Sequence, residues 1–490
     1  MPQIIAAMGI DSLEGVRLAQ RAWAATPLRL RVEVIGRLRR RVAAGAVELA
    51  ETVPTRLPGA LNRSVADTLA SEVLPLIEAC RFLERDAERI LRTRQLGRRG
   101  RPVWLGGVKT EVERAPWGLV LVLGAGNYPL LLAGAQTLQA LVAGNAVLWK
   151  PASRTADPAF ALRNLLVECG LPPELLTVLP AGVESATEAI TAGVDHVVLT
   201  GSAETGKAVL RQLAESLTPA TMELSGCDAV FVLPGADFGH TVRALAFGLR
   251  FNGSFTCMAP RRVFLVGLGE TQAAEFEARL MGALANLEPV PVPAKTSRLL
   301  RELIEDARVQ GADVLLAGLA AGSDGAVGVT LIGRANPALL SMQTDVFAPV
   351  LSLMRAADLD EALAAGAACP YALTASIFGP ETEARLLASR LRVGNVLIND
   401  IVIPTADPRV AFGGRGRSGF GVTRGREGLL AMTTPRTGQV QRGRSQRAYE
   451  ATGDGHLELF AGLAQMLHGD GFSKRWAGLV RLLRAGRRLR

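Results

Sequence analysis

The stretch Leu119-Val120-Leu121-Val122-Leu123-Gly124-Ala125-Gly126-Asn127 joins five consecutive apolar residues to a tight loop. Such an uninterrupted apolar run predicts a parallel strand that is covered on both faces. The order of strand, loop and helix occurs three times between residues 117 and 201, which predicts a doubly wound α/β sheet. The predicted strands are Leu119–Leu123, Ala146–Trp149, Leu176–Leu179 and His196–Leu199, and the predicted helices are Leu130–Val142, Asp157–Cys169 and Glu184–Thr191. Ligands bind such sheets at the carboxyl ends of the strands, just beyond which Asn127, Lys150 and Gly201 fall.

A second α/β region extends from about residue 228 to residue 400. Its predicted strands are Ala229–Val232, Arg262–Val266, Val350–Leu353, Leu373–Phe378 and Asn395–Asn399, and a helix is predicted over Thr241–Leu249. Apolar residues at helical spacing predict N-terminal helices that begin near Leu13, at Leu28–Leu49 and at Ser64–Leu91. The Gly-Gly pair within Trp104–Val112 predicts a β-hairpin, and the composition of Gln441–Gly455 predicts a flexible linker.

The composition is that of a folded protein. Of the 490 residues, 49% are hydrophobic and 21% are charged, which excludes a disordered chain. The net charge of +9 favours anionic ligands, but no nucleic-acid partner is predicted from it. The N-terminus lacks the pattern of a signal peptide, and no apolar run is long enough to span a bilayer. The five cysteines form neither a CxxC pair nor a cluster with histidine, so we expect no disulfide framework, no metal site and a cytoplasmic location.

One cysteine lies in the stretch Phe251-Asn252-Gly253-Ser254-Phe255-Thr256-Cys257-Met258-Ala259-Pro260-Arg261-Arg262. The cap-competent residues Asn252, Ser254 and Thr256 predict a helix that starts near Cys257. A helix N-terminus and nearby arginines stabilise a thiolate, which is the environment of a catalytic nucleophile. A buried structural cysteine is the alternative that this stretch alone leaves open.

The segment Gly201-Ser202-Ala203-Glu204-Thr205-Gly206-Lys207-Ala208 follows a predicted strand and opens a helix. That geometry aims backbone N–H groups and the helix dipole at an anion. The spacing is that of a P-loop, but Ala208 stands where Ser or Thr would bind magnesium. Ala203 likewise occupies the place of the second glycine in a dinucleotide-binding fingerprint. An ordinary turn and a site for a dinucleotide pyrophosphate both remain open.

Seven short motifs occur in one order along the chain. They are Gly126-Asn127-Tyr128-Pro129, Lys150-Pro151, Thr200-Gly201-Ser202 with Gly206, Met222-Glu223-Leu224, the Cys257 segment with Ala259-Pro260, Phe347 with Pro349, and Phe412-Gly413-Gly414 with Ser418-Gly419. In these motifs and their separations, the chain from about residue 10 to residue 440 resembles the aldehyde dehydrogenase superfamily. The lack of a long N-terminal arm and the sequence Leu217-Thr218-Pro219 are most similar to its shorter, class 3 branch.

The resemblance implies an α/β fold with a doubly wound dinucleotide-binding domain, an α/β catalytic domain and a β oligomerisation arm. We therefore expect residues 1–225 to form the N-terminal helices and the dinucleotide-binding domain, with a hairpin arm near residues 103–115. Residues 226–400 are expected to form the catalytic domain, residues 401–440 the return segment and oligomerisation arm, and residues 441–490 a linker and a basic tail. A homodimer or homotetramer is expected.

The resemblance also implies NAD(P)-dependent oxidation of an aldehyde to a carboxylic acid. Cys257 matches the nucleophile, Asn127 the amide that stabilises the oxyanion, and Glu223 the base that activates water for thioester hydrolysis. One alternative is a CoA-acylating aldehyde dehydrogenase, which Glu223 disfavours because acylating members typically lack that base. The other is a catalytically weak scaffold that binds a partner through its tail.

Eight residues are candidates for binding NAD or NADP, namely Lys150, Ser153, Arg154, Gly201, Ser202, Gly206, Asp345 and Phe347. By the resemblance, Lys150 and Phe347 contact ribose groups of the cofactor, and Asp345 replaces the glutamate that grips the ribose. Ser153 stands where NAD-preferring members usually carry a glutamate that would repel a 2′-phosphate, and Arg154 supplies a positive partner. We therefore expect NADP to be accepted and favoured over NAD.

Several positions depart from the family motifs. Gly126 replaces a frequent Trp, Ser254-Phe255 replace Gly-Gln, Ala348 replaces a Gly, and Ser225 and Cys227 replace the Gly and Lys of the usual Glu-Leu-Gly-Gly-Lys run. These departures bear on the turnover rate and on cofactor positioning rather than on the fold.

The segment Lys474–Arg490 predicts a basic amphipathic helix. Its apolar face comprises Trp476, Leu479, Val480, Leu482, Leu483 and Leu489, and its basic face comprises Lys474, Arg481, Arg484 and Arg488. Packing on its own or a neighbouring subunit and recruitment of a partner are two interpretations. The third is weak, salt-sensitive contact of residues 456–490 with an anionic membrane.

Overall fold

The computed structural model describes residues 13–56, 63–319, 325–442, 449 and 451–488. They belong to two units, of which the first comprises Met1–Thr93 and Glu113–Arg436 and the second comprises Arg94–Val112 and Thr437–Arg490. The described helices are α1 (Leu13–Ala25), α2 (Leu28–Ala44), α3 (Ala46–Glu51), α4 (Val65–Thr68), α5 (Leu74–Leu91), α6 (Leu131–Ala143), α7 (Asp157–Glu168), α8 (Val183–Gly193), α9 (Ala203–Ala214), α10 (Phe238–Arg250), α11 (Glu270–Leu284), α12 (Ala294–Val309), α13 (Leu340–Gln343), α14 (Leu359–Ala367), α15 (Glu381–Arg390), α16 (Gly425–Ala431), α17 (Asp454–His468) and α18 (Gly471–Arg488).

The described strands are β1 (Arg94–Leu96), β2 (Val108–Pro116), β3 (Leu119–Leu123), β4 (Ala146–Lys150), β5 (Leu176–Val178), β6 (His196–Gly201), β7 (Ala220–Leu224), β8 (Asp228–Val232), β9 (Pro260–Val266), β10 (Val290–Pro291), β11 (Asp313–Leu316), β12 (Ala326–Val327), β13 (Thr330–Gly333), β14 (Val350–Ala356), β15 (Tyr371–Ala372), β16 (Thr374–Phe378), β17 (Asn395–Ile398), β18 (Arg415–Gly416), β19 (Gly419–Phe420) and β20 (Thr433–Gln441).

The first large sheet has the strand order β19-β7-β6-β3-β4-β5. All neighbours are parallel except β19, which runs antiparallel to β7. The chain winds outward from β3 through β4 to β5 on one side and places β6 and β7 on the other, so the winding reverses between β3 and β6. This topology confirms the predicted doubly wound sheet, and it opens a ligand crevice at the carboxyl ends of β3 and β6.

The second large sheet has the order β11-β13-β14-β9-β8-β16-β17, and only β11 is antiparallel to its neighbour. The five predicted strands of this region are present in it. Strands β11 and β13 were not predicted, because at four residues each they are too short to give a clear pattern. The division of the chain into residues 1–225, 226–400, 401–440 and 441–490 stays a prediction.

The N-terminal helices follow the apolar pattern with one difference. The predicted helix Leu28–Leu49 is divided at Gly45, where α2 ends and α3 begins. Ser64 is the N-cap of α4, as predicted, and its hydroxyl accepts the Asp67 backbone N–H. A π-helical turn over Leu69–Val73 then precedes α5.

The predicted hairpin within Trp104–Val112 is wrong. Residues Val103–Leu105 form a 3-10 turn, and β2 begins only after the Gly-Gly pair. The antiparallel partner of β2 is β1, with Arg94 opposite Val112. The fully exposed β1 lies within the arginine-rich run 85–101 and has no apolar pattern that predicts a strand.

The C-terminal helices α17 and α18 pack as an antiparallel hairpin. A side-chain carbon on Gly478 would lie 2.3 Å from the Met466 nitrogen, and one on Gly462 would lie 2.6 Å from the Leu482 nitrogen. The predicted amphipathic helix is therefore present but begins at Gly471, and part of its apolar face packs on α17. Residues 443–448 and 450 of the predicted linker lie outside the described residues, as do Leu489 and Arg490. Within the described chain, no helix is both long enough and apolar enough to cross a membrane.

Candidate active site

A cavity of about 350 Å³ lies at the carboxyl ends of β3 and β6. It brings together seven of the predicted site residues, namely Asn127, Lys150, Gly201, Ser202, Glu223, Cys257 and Phe347. The other four predicted residues, Ser153, Arg154, Gly206 and Asp345, do not line it. The sequence motifs thus converge on one cavity although they are spread over more than 200 residues of the chain.

Cys257 lies in a turn between a 3-10 segment, Phe251–Ser254, and strand β9. The predicted helix at Cys257 is therefore wrong, since α10 has already ended at Arg250. Three consecutive residues, Asn252 to Ser254, have φ values of 51° to 63°, which no right-handed helix allows. The buried Arg261 fixes this conformation, because its guanidinium donates to the Ser254 hydroxyl and carbonyl at 2.8 Å each.

The arginines beside the cysteine do not stabilise its thiolate, contrary to the sequence-based expectation. Arg261 is bound to Ser254 and Ala348, and Arg262 donates to the Cys227 carbonyl at 2.8 Å. Burial raises the pKa of the Cys257 thiol, and the Glu223 and Asp228 carboxylates raise it further. These effects favour the neutral thiol over the thiolate, and the positive charge of Arg424 opposes them.

Asn127 points its amide at the cysteine loop. The Asn127 Nδ2 donates to the Phe255 carbonyl at 3.2 Å, and its Oδ1 accepts the Tyr128 backbone N–H at 3.1 Å. An amide nitrogen carries two hydrogens, so one donor remains for an oxyanion at Cys257. The Asn127 backbone is fixed in turn, because Arg63 Nη1 donates to its carbonyl at 3.1 Å.

The base candidate Glu223 is almost fully buried at the end of β7. The Thr423 hydroxyl donates to its Oε2 at 2.5 Å, and its Oε1 has no hydrogen-bond partner among the described residues. Burial raises the pKa of Glu223, whereas the positive charge of Arg424 and the Thr423 hydrogen bond lower it. An unpartnered oxygen on a buried carboxylate is suited to receive a proton or to bind a water molecule.

The glycine turn fits the phosphates of a dinucleotide. Ser202 caps α9 by accepting the Thr205 backbone N–H at 3.1 Å, which leaves the N-terminal end of the helix beside Gly201 in the cavity wall. A side-chain carbon on Gly206 would lie 2.8 Å from Leu224 Cδ1, so Gly206 allows close packing of the helix on β7. Lys150 adds a cation whose pKa burial lowers.

Phe347 lines the cavity, whereas Asp345, Ser153 and Arg154 occupy other positions. Phe347 meets Phe255 edge to face, with ring centroids 4.9 Å apart. Asp345 is half-buried, and desolvation raises its pKa to about 6 while the charge of Arg261 opposes this rise. Ser153 and Arg154 form an exposed turn directly after β4, and Arg154 has a φ of 66°.

Sequence reasoning missed four residues that support the site. Thr423 and Arg424 contact or face Glu223, and Arg63 pairs with the fully buried Glu72 behind the Asn127 loop. Glu72 also accepts the backbone N–H groups of Leu130 and Leu131. The one signal for Thr423 and Arg424 is their position within a glycine-rich segment. For Glu72, the signal is that it is an acidic residue within an apolar helical pattern.

Comparison with known proteins identifies the family. Residues 11–437 match the model of the aldehyde dehydrogenase family. The 4,4'-diapolycopene aldehyde oxidase of Methylomonas sp is 29% identical over 93% of this chain and 86% of its own length. The crystal structure of an NADP-dependent glyceraldehyde-3-phosphate dehydrogenase from Bacillus halodurans C-125 in complex with NADP matches with a TM-score of 0.78 and 26% identity, covering 88% of this chain and 91% of that chain. An aldehyde dehydrogenase structure from Brucella melitensis biovar abortus 2308 matches with a TM-score of 0.80 and 21% identity, covering 90% of each chain, and shares the fold. The chain belongs to the aldehyde dehydrogenase family, and it is an NAD(P)-dependent enzyme that oxidises an aldehyde to a carboxylic acid.

Proposed function

We propose that Cys257, Glu223 and Asn127 carry out this oxidation as nucleophile, general base and oxyanion donor. The observation that supports the proposal is the presence of a thiol, a carboxylate and a side-chain amide in one cavity beside a helix N-terminus. Glu223 is the only acidic residue among those described that line this cavity. A proton removed from a water molecule in this cavity therefore has one carboxylate acceptor there.

The chemistry proceeds through Cys257. Its sulfur adds to the aldehyde carbonyl, and the Asn127 amide and the Cys257 backbone N–H stabilise the oxyanion that develops. When bound, NAD(P) supplies the acceptor for the hydride that leaves the substrate carbon. Glu223 then activates a water molecule, which releases the acid from the Cys257 thioester. The buried, unpaired Glu223 oxygen favours hydrolysis over transfer to CoA.

The test is Glu223→Gln, which removes the base and keeps the volume. We expect one equivalent of reduced cofactor to form rapidly and the steady rate to fall by about 10² to 10⁴, the usual contribution of a general base. Cys257→Ala is the matched control, because it should show neither burst nor turnover while still binding cofactor. A steady rate close to that of the wild type would contradict the assignment of Glu223, and burst formation by Cys257→Ala would contradict that of Cys257.

We further propose that NADP is accepted and favoured over NAD. Ser153 and Arg154 directly follow the strand that ends at Lys150, and neither carries a negative charge that would repel a 2′-phosphate. We expect Ser153→Glu to lower kcat/KM for NADP by at least tenfold, about 1.4 kcal/mol, with little effect for NAD. Ser153→Ala is the control that removes the hydroxyl without adding charge. Equal ratios of kcat/KM in all three enzymes would refute this proposal.

Three finer assignments are proposals of the same kind. The sequence Leu217-Thr218-Pro219 before Met222 supports a position near the class 3 branch. A homodimer or homotetramer in the cytoplasm is expected from the family resemblance. Weak contact of the tail with anionic membranes is supported by α18, which carries six basic residues, no acidic residue, and the exposed side chains of Phe472, Trp476 and Leu483.

A further inference from the structure

Asn252 links the loop that contains Cys257 to the loop that contains Asn127. The Asn252 Nδ2 donates to the Asn127 carbonyl at 3.2 Å and to the Phe255 carbonyl at 3.1 Å. Asn127 reaches the same acceptor, because its own Nδ2 donates to the Phe255 carbonyl at 3.2 Å. Phe255 precedes Cys257 by two positions, so these hydrogen bonds connect the nucleophile to the proposed oxyanion donor.

The two asparagines differ in the donors that remain to them. A side-chain amide nitrogen carries two hydrogens. Both hydrogens of Asn252 are engaged, by the Asn127 and Phe255 carbonyls, whereas Asn127 uses one on Phe255 and keeps one. The described lining of the cavity includes Asn127 but not Asn252. Asn252 can therefore act on a reacting carbonyl oxygen only through the position that it gives to Asn127.

Arg63 fixes the orientation of the Asn252 amide. The Arg63 Nη1 donates to the Asn252 Oδ1 at 3.4 Å and to the Asn127 carbonyl at 3.1 Å. Arg63 is only 5% exposed, and its ion pair with the fully buried Glu72 holds the guanidinium in place. An amide oxygen that faces a guanidinium and an amide nitrogen that faces two carbonyls agree with one orientation of the Asn252 side chain.

The backbone at Asn252 supports the same link. Asn252 has a φ of 51° and a ψ of 37°, a left-handed conformation that asparagine adopts more readily than most residues. Its carbonyl accepts the Phe255 N–H at 2.9 Å, which closes a tight turn. The next residues of both loops are joined as well, because the hydroxyls of the buried residues Tyr128 and Thr256 lie 2.8 Å apart. The two loops are thus held together by side-chain and backbone hydrogen bonds.

We propose that Asn252 is a positioning residue for oxyanion stabilisation, because its amide sets the place of Asn127 relative to Cys257. The inference rests on the proposed roles of Asn127 and Cys257. Oxyanion donors act at about 2.7 to 3.1 Å from the developing charge. A small displacement of the Asn127 loop therefore slows attack on the aldehyde although the Asn127 donor is still present.

The test variant is Asn252→Gly, because glycine adopts a positive φ freely and only the side-chain hydrogen bonds are lost. Asn399→Gly is the matched control. Asn399 also has a positive φ, 56°, and its side chain makes two hydrogen bonds of 2.9 Å with the Gly379 backbone, but it is not in the described lining of the cavity. Replacing Arg63 instead would leave the buried Glu72 charge unpaired and would destabilise the fold.

The measurement is the rate of reduced-cofactor formation in a single turnover of the full-length enzyme. Cofactor is saturating, and the substrate is the fastest of the unbranched aldehydes from ethanal to decanal. We expect Asn252→Gly to slow this step by about tenfold or more, and Asn127→Ala by about 10² to 10³, the usual loss for one oxyanion donor. Asn399→Gly should keep the wild-type rate. Cofactor affinity should be the same in Asn252→Gly and Asn399→Gly, because neither change removes a cofactor contact.

A double-mutant cycle separates positioning from a general structural effect. In the Asn127→Ala background, adding Asn252→Gly should slow single turnover by less than about threefold, because the donor that Asn252 positions is already gone. Thermal melting establishes that Asn252→Gly is folded, and Asn252→Asp, which keeps the side-chain shape but removes its donors, replaces it if it is not.

Two results would overturn the proposal. One is a wild-type rate in folded Asn252→Gly, and the other is multiplication of the two single effects in the double variant. Failure of the proposed function gives a different result. A wild-type rate in Asn127→Ala would refute the oxyanion role of Asn127 and this inference with it, whereas a slow Asn127→Ala beside a fast Asn252→Gly would refute this inference alone.

Discussion

Glu223 is buried and Arg424 is half-buried, and the charge of each affects the pKa of the other. Burial raises the pKa of Glu223, and the positive charge of Arg424 opposes that rise. Arg424 is itself held rigidly, because its Nη1 donates to the Thr405 carbonyl at 2.6 Å and its guanidinium lies 4.5 Å from the centre of the Phe412 ring. On our assignment of Glu223 as base, Arg424 is therefore a residue that favours the ionised form of this carboxylate.

Replacing Arg424 by methionine should shift the pH dependence of turnover. Without the positive charge, the pKa of Glu223 rises further above its ordinary value. A general base acts only when deprotonated, so activity should appear at higher pH than in the wild type. The pH profile of kcat measures the shift, and Arg424→Lys should restore much of the wild-type profile. An unchanged acidic limb in a folded Arg424→Met enzyme would show that Arg424 does not control the base.

For single residues, the sequence predicted which side chains form the site better than it predicted their partners and protonation. Cys257, Asn127 and Glu223 could be found because short motifs surround them. The raised pKa of Cys257 could not, since it depends on burial and on the charges of Glu223 and Asp228, which only the fold brings near the thiol. Arg261 illustrates the limit, because its proximity in sequence suggested a partner for the thiolate but its side chain binds Ser254.

Helix α9 packs on strand β7, and this contact holds the glycine turn that precedes the helix. A methyl group at Gly206 would lie 2.8 Å and 3.1 Å from the two Leu224 methyl carbons. Leu224 is buried and lines the active-site cavity, so its displacement would change the wall of that cavity. The contact thus connects helix packing to the shape of the site.

Gly206→Ala should therefore weaken both the fold and cofactor binding. We expect a loss of about 1 kcal/mol in the free energy of unfolding, because overpacking outweighs the gain in helix propensity. The KM for the cofactor should rise. Gly282→Ala in α11 is the matched control, since no atom lies within 4 Å of its added carbon. The free energy of unfolding of this control should rise by about 0.5 to 1 kcal/mol. Denaturant titration and cofactor kinetics test both, and equal stabilisation of the two variants would refute the packing argument.

Elements with strong apolar patterns were predictable, and those defined by long-range pairing were not. Strand β3 is fully buried over all of its five residues, and its apolar run identified it. Strand β19 has only two residues and exists because Gly419 pairs with Glu223 from far along the chain. Such a pairing leaves no local periodicity for sequence analysis to detect.

The whole molecule extends beyond the part that is shared with the family. The family match ends at residue 437, where the last segment of the second unit begins. The hairpin of α17 and α18 therefore lies outside the residues that the family model matches. Its tight crossing at Gly462 and Gly478 shows that the two helices pack on each other. The sequence predicted an amphipathic helix, with packing on its own or a neighbouring subunit as one interpretation.

Removing this hairpin should separate membrane contact from catalysis. A chain that ends at Thr452 lacks both helices, so it should keep the kcat/KM and melting temperature of the full-length enzyme. Full-length protein should sediment with anionic liposomes at low salt but not with neutral ones, because α18 has basic and exposed aromatic side chains.

The distinguishing control keeps the hairpin and changes its exposed surface. Phe472 and Trp476 are 82% and 57% exposed, and their rings stack at 6.2 Å. The double variant Phe472→Ser, Trp476→Ser should therefore retain the hairpin and still lose most liposome binding. High salt should release the wild-type protein from the anionic liposomes, since the Debye length falls from about 10 Å at 0.1 M to about 3 Å at 1 M. Equal sedimentation of the full-length, truncated and double-variant proteins would contradict membrane attachment. Loss of activity on truncation would instead assign the hairpin a structural role, because catalysis would then depend on a segment outside the shared fold.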